Sequence, residues 1–375
     1  MVIHIGHPKT GTASLQATFQ RSADVLARNG LYYETVDRNQ QRVARAYNAS
    51  FRREGDEACR TRFLANARKT EAPLGLFSSE LLIRLTDEEL DTFLNDMHHV
   101  AQSLEVLVYA RHPIPFADSA AHQGLRTGKS LERSIVRPTF IPFAELLPKW
   151  VERVGRENVT VRPFDRAMLT NGDVIDDVLT TIGAPEAIDG LTRMRVNEGL
   201  SAPAALIMDK MVLMHGGQLY KEAVRAVEQI KGPRYVLPPE AHARVMEFAA
   251  PHLAYLKDEF GLTLKAPKQA PPEPHNLSEA EIQSLAVLLL NLCDYAQVCG
   301  ESRLGRWLGL HGPFSSRRGK GVALAQRVFK SKRRAVSWRS KEAKAAAQSE
   351  RRRGPRTGKR PRKGLFGRKR KSARG

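Results

Sequence analysis

Along the first 183 residues, short apolar runs alternate with longer stretches in which apolar residues recur every three or four positions. Val2-Ile3-His4-Ile5 is a β-branched run that stops at Gly6, and from Thr12 onward Leu15, Phe19, Ala23 and Leu26 keep helical spacing until Asn29-Gly30. The same change of period recurs. Leu76-Phe77 runs into Ser78-Ser79-Glu80, and a helix starting near Asp87 ends at His98-His99. Leu104 to Tyr109 is the most apolar strand, ending in Ala110-Arg111, and a further helix follows Pro113. Asn158 to Arg162 reads as a strand after Trp150, and Val174 to Ile182 as a helix stopped by Gly183. This alternation predicts an α/β fold with a parallel sheet flanked by helices.

Beyond residue 200 the helical period dominates. Ser201 to about Lys231 and Pro239 to Phe260 read as amphipathic helices, and residues 266–275 form a proline-rich linker. Ser278-Glu279-Ala280-Glu281 is a capping box that starts one more helix, running to about Cys299. The expected division is a nucleotide-binding domain over 1–265, the linker, a helical extension over 276–312 and a basic tail over 313–375.

The first strand leads straight into a turn with Gly6 and Gly11, five residues apart, at the N-terminus of a helix. Such a helix end presents unpaired N–H groups and the positive end of a dipole, which suits a phosphate. An ATP-type loop, G-x-x-x-x-G-K-[ST], places lysine after the second glycine and a hydroxyl on magnesium after that. Here Thr12 stands at the lysine position, and the lysine, Lys9, lies inside the loop. The strand ending at Tyr109 delivers Arg111 rather than an aspartate, which favours a second anion over a metal.

Pro8-Lys9-Thr10-Gly11-Thr12 resembles the 5′-phosphosulfate loop of sulfotransferases that use 3′-phosphoadenosine-5′-phosphosulfate (PAPS). The second signature of that family is an arginine at a strand end followed eight residues later by a helical serine; Arg111 and Ser119 match it. The resemblance covers about the first 200 residues. It implies a P-loop NTPase-like sheet with helical C-terminal additions and a basic tail. It also implies a nucleotide site built from Pro8, Lys9, Thr10, Gly11, Thr12, Ala13, Ser14, Arg111 and Ser119, the last two on the 3′-phosphate. Ala13 replaces a second threonine, leaving Ser14 to supply a hydroxyl, and His112 stands where many members carry asparagine. For the basic segment that closes the family's 3′-phosphate site, Arg193 or Arg195 is the available substitute.

The chemistry implied is transfer of a sulfuryl group from PAPS to an acceptor hydroxyl, on a carbohydrate, without a metal. Lys9 is the expected stabiliser of the departing phosphate oxygen. Glu80 is the first candidate for the base that takes the acceptor's proton, because glycan-modifying and bacterial members carry a glutamate at a similar place. His122, three residues after Ser119, is the second candidate. The plain alternatives are that Glu80 pairs with Arg84 and that His122 is a satisfied buried histidine.

Charge divides sharply along the chain. Residues 313–375 carry 24 Lys and Arg against two acidic residues, a net of +22, whereas residues 1–312 carry 36 against 38, a net of −2. Like charge at that density and few apolar residues predict a disordered or partly helical tail. Val322, Ala325, Phe329, Val336 and Trp338 give it a weak apolar stripe suited to an anionic membrane surface, and polyanion binding is the other use of such a segment. Three scattered cysteines, Cys59, Cys293 and Cys299, fit a reducing compartment. Apolar runs are too short to span a bilayer. Because eukaryotic glycan sulfotransferases sit behind a membrane anchor, the resemblance then implies a bacterial, cytoplasmic enzyme, with peripheral attachment to membranes open to its tail. Two other classes stay open: a P-loop kinase, and a nucleic-acid or polyanion binder acting through the tail.

Overall fold

The computed structural model describes residues 1–6, 8–35, 40–194, 199–217, 219–266 and 277–299, with side chains to 294. The proline-rich linker from Pro267 to Asn276, Arg195 and the whole basic tail lie outside the described residues. Residues Met1–Cys293 form one compact unit.

Its centre is a parallel sheet of β1 (Val2–His4), β2 (Leu31–Tyr33), β3 (Leu74–Ser78), β4 (Glu105–Ala110) and β5 (Val159–Pro163), in the order β2-β3-β1-β4-β5. Ile3 pairs in register with Phe77 on one side and Val106 on the other, and Val108 with Val161. The strands alternate between two apolar layers, as a period of two requires. Ile3, Phe77, Val106 and Val108 face one core, and Val2, Leu76, Leu107 and Tyr109 face the other.

The second core is covered by α1 (Thr12–Arg21) and α2 (Ala23–Arg28), with a later helix joining them. The first core takes α3 (Gln41–Tyr47), α4 (Asp56–Ala67), α5 (Asp87–His98), α6 (Pro113–Arg126), α7 (Leu131–Val136), α8 (Phe143–Leu146) and α9 (Pro148–Val154). The chain then returns to the second core with α10 (Val174–Thr181). It finishes on the first core with α11 (Ala202–His215), α12 (Lys221–Glu228), α13 (Pro239–Phe260) and α14 (Glu279–Cys299). Both faces of the sheet are thus clad in helices, and the α/β architecture expected from the alternation is present.

Three local departures have physical causes. The helix expected over 12–29 is two, because Ser22 leaves helical dihedrals (φ −113°, ψ 21°) and its Oγ accepts the Thr192 N–H at 2.9 Å. The helix expected over 201–231 breaks at Gly216 and Gly217, both at positive φ. A Cβ on Gly128 would fall 1.7 Å from the Gly217 carbonyl oxygen, so these two turns pack backbone on backbone. Strand β2, only three residues long, gives no periodic signal.

α5 begins with a capping box, Thr86 and Glu89 exchanging hydrogen bonds, and α14 begins with the expected one, in which Ser278 N–H donates to Glu281 at 2.8 Å. Among the described residues no helix is long and apolar enough to cross a membrane.

Candidate functional site

Because all five strands run parallel, the loops that leave β1, β3 and β4 emerge along one edge of the sheet, where ligands of open α/β sheets bind. Gly6 lies in the first of these loops at φ +52°, and a Cβ there would come within 3.0 Å of the Glu80 backbone nitrogen and Cα. The loop after β1 and the end of β3 are therefore in direct contact, and glycine is what permits it. Gly11 is the N-cap of α1 at φ +78° and brings no side chain to cap the first-turn N–H groups. The positive end of the α1 dipole lies at this turn. Thr10 and Thr12 are buried in the same turn.

Lys9 is held at φ +69°, a left-handed conformation uncommon for a residue with a side chain. Its Nζ donates to Gln123 Oε1 on α6 at 3.2 Å, and its carbonyl accepts Arg111 Nη1 at 2.7 Å. The first loop is thus tied to the end of β4 on one side and to α6 on the other. Burial lowers the Lys9 pKa; the charge of Glu80 works against that, while Arg126 and Arg111 add to it.

Arg111 follows the last residue of β4 and lies over the Phe164 ring, 5.5 Å from its centroid. Burial pulls its pKa down to about 10, the neighbouring Arg234 pushes in the same direction, and Asp118 opposes both. His112 caps α6, its Nδ1 accepting the Ile114 N–H at 3.3 Å. Ser119 is half-buried two turns into α6, on the stripe that Gln123 continues toward Lys9. Among the described residues, Arg111, Lys9 and Arg234 make no ion pair. Three cations are brought near one another beside the start of a helix, with Glu80 and Asp118 acting on them only at longer range than an ion pair. The residues suit a ligand with several negative charges.

Arg234 is the residue that sequence reasoning missed. It enters the site on residues 233–237, which are tied down at three points. Arg234 forms an antiparallel bridge with Ser201, the Tyr235 carbonyl accepts His122 Nε2–H at 3.0 Å, and the Leu237 N–H donates to Asp118 at 2.9 Å. Asp118 also pairs with His242 of α13 at 2.9 Å. Of the two substitutes read from the sequence, Arg193 is engaged by Asp176 and by Asp173 at the start of α10, and Arg195 lies outside the described residues. A cue to Arg234 existed in the Lys231-Gly232-Pro233-Arg234 turn, basic and glycine-containing like the first loop.

The two candidate bases differ in surroundings. Glu80 is half-buried, next to Gly6, with its charge acting on Lys9, and among the described residues it makes no ion pair with Arg84. His122 is buried; its Nδ1 accepts the Leu200 N–H at 3.3 Å while Nε2–H donates to Tyr235. Both ring nitrogens face backbone partners, and no lone pair is left for an acceptor proton. Burial, with Arg234, lowers its pKa to about 4. Among the described residues no group of three or more His, Cys, Asp or Glu side chains is placed to hold a metal ion.

No family model matches the chain, and no curated protein matches it. Among solved structures it is similar to a sulfotransferase from Alicyclobacillus acidocaldarius. The two are 14% identical, with 70% of this chain and 96% of that one covered and a TM-score of 0.40.

Proposed function

We propose that this protein is a PAPS-dependent sulfotransferase that moves a sulfuryl group to a hydroxyl of a carbohydrate acceptor. The observation that carries the reading is the meeting of Arg111, Lys9 and Arg234, none with an ionic partner among the described residues, at the loop that leads into α1. In this reading Pro8 to Ser14 hold the 5′-phosphosulfate, and Arg111, Ser119 and Arg234 hold the 3′-phosphate. Two groups of residues, the first loop and the set of Arg111, Ser119 and Arg234, suit a nucleotide phosphorylated at both ends. A magnesium-dependent kinase would need an acidic side chain at the end of β4, where Arg111 stands.

Transfer forms a bond between the acceptor oxygen and sulfur and breaks the bond between sulfur and the bridging phosphate oxygen. Negative charge grows on that departing oxygen. Lys9 Nζ and the first-turn N–H groups of α1 stabilise the charge more as it develops than before the reaction starts. The acceptor proton goes to Glu80, whose charge acts on Lys9. Adenosine 3′,5′-bisphosphate leaves with its charges still matched by Arg111 and Arg234.

Calorimetric titration with adenosine 3′,5′-bisphosphate tests the reading, run beside magnesium ATP. Tight binding of the bisphosphate is expected, weakened by roughly tenfold to a hundredfold in Arg111→Ala. Preference for magnesium ATP, or binding of neither, overturns it. For the base, Glu80→Gln is expected to cut turnover by ~10²–10⁴-fold with the bisphosphate affinity retained. His122→Asn is expected to act on stability instead; the reverse pattern would move the base to His122.

A further inference from the structure

The stripe of α6 that meets the first loop does not end at Gln123. Ser119, Gln123 and Arg126 follow at i, i+4 and i+7 and share one helical face. At ~1.5 Å per residue, Arg126 lies about 10 Å along the axis from Ser119 and about 5 Å beyond Gln123, which holds Lys9. Arg111 sits past the other end of the same stripe. Along α6 the order is Arg111 before the helix, Gln123 with Lys9, then Arg126. The charge of Arg126 reaches both Lys9 and His122.

Arg126 also differs from Arg111 and Arg234 in what it touches. Its Nε donates to Glu228 Oε1 of α12 at 2.6 Å, in a pair whose side chains are 16% and 29% exposed. The protein has placed a carboxylate of its own on this arginine and on neither of the others.

We propose that Arg126 binds the acceptor and selects one that carries a carboxylate, as a uronic acid does, with Glu228 holding that place until the acceptor arrives. The inference rests on the sulfotransferase reading. A guanidinium fork matches the planar carboxylate, and one carboxylate replacing another keeps the arginine paired throughout. Glu228, the more exposed partner, can turn to water when displaced. A neutral sugar would have to leave the internal pair intact and gains nothing from it, so the pair discriminates against uncharged acceptors.

The test is a saturation-transfer NMR titration of p-nitrophenyl β-D-glucuronide and p-nitrophenyl β-D-glucoside on the full chain loaded with adenosine 3′,5′-bisphosphate. The glucuronide is expected to bind at least about tenfold more tightly than the glucoside. Arg126→Gln removes that preference and leaves the bisphosphate affinity in place. Glu228→Gln, which leaves α6 untouched, tightens the glucuronide by about threefold or more. Equal affinity for the two glycosides, a preference that survives Arg126→Gln, or no glucuronide binding by the parent and Glu228→Gln overturns the proposal. Failure of the nucleotide reading has a different signature: no bisphosphate binding, with the glycosides still told apart by the unloaded chain through Arg126.

Discussion

Lys9→Gly is expected to lower sulfuryl transfer by ~10²–10³-fold without lowering the stability of the chain. The two halves of that result come from different parts of one residue. In the proposed mechanism the side chain stabilises the charge that develops on the departing oxygen, and Gln123 accepts a hydrogen bond from it. The backbone sits at φ +69°, where a residue with a Cβ is strained by ~1–2 kcal/mol and glycine is not. Lys9→Ala separates the two: it is expected to lose as much activity and to be about 1 kcal/mol less stable than Lys9→Gly. Turnover and urea midpoints for the three proteins give the comparison. Activity retained in either variant removes Lys9 from the chemistry, and a marked loss of stability in Lys9→Gly would assign it to the scaffold.

Stability is expected to fall steeply between pH 6.5 and about 4, through His4 and His122. Both are buried, and burial brings each from the ordinary 6.5 to about 4; at His122 Arg234 adds to the effect. His4 Nδ1 shares a hydrogen bond with Ser78 Oγ at 2.9 Å, and its Nε2 is buried with no partner among the described residues. A depressed histidine pKa means that the unfolded chain takes up the proton first. The stability tied to the neutral rings is therefore complete above pH 6.5 and is lost as pH falls toward 4, by about 3 kcal/mol for each histidine.

A second, more acidic loss follows from carboxylates. Burial raises Asp56 and Asp177, but hydrogen bonds from Arg45 and the Arg53 N–H to the first, and from Arg162 and the Thr170 N–H to the second, outweigh it and leave both lowered. Their stabilisation disappears as pH drops through those lowered values. Urea unfolding at steps from pH 7 to 4 measures the first window, and His122→Asn is expected to remove its share of the slope. A flat profile down to pH 5 would mean that water reaches both rings.

What could be read from the sequence was local. The run Val2–Ile5 followed by Gly6 and Gly11, and the strand to Ala110 followed by Arg111, each carry their structure within about a dozen residues. α13 was legible from end to end, Pro251 notwithstanding, because its apolar positions keep one period. What could not be read depends on contacts between distant residues. Arg234 reaches the site through Asp118 and His122, more than a hundred positions earlier. The same ties decide that His122 has no nitrogen to offer, which no spacing along α6 could disclose. Glu80 and Lys9 become neighbours through the contact between Gly6 and Glu80, a property of the sheet order rather than of either segment. The break at Gly216 and Gly217 was visible as a glycine pair, and helical periodicity on both sides hid it.

α6 holds Ser119, Gln123 and Arg126 on one rigid rod, with Arg111 at its entrance. The distances from nucleotide to reaction centre to acceptor are therefore multiples of a helical rise. One residue inserted between Ser119 and Arg126 would turn the arginine by about 100° and carry it off the stripe altogether. On the proposed reading the helix behaves as a gauge that tolerates substitution and forbids a change of count.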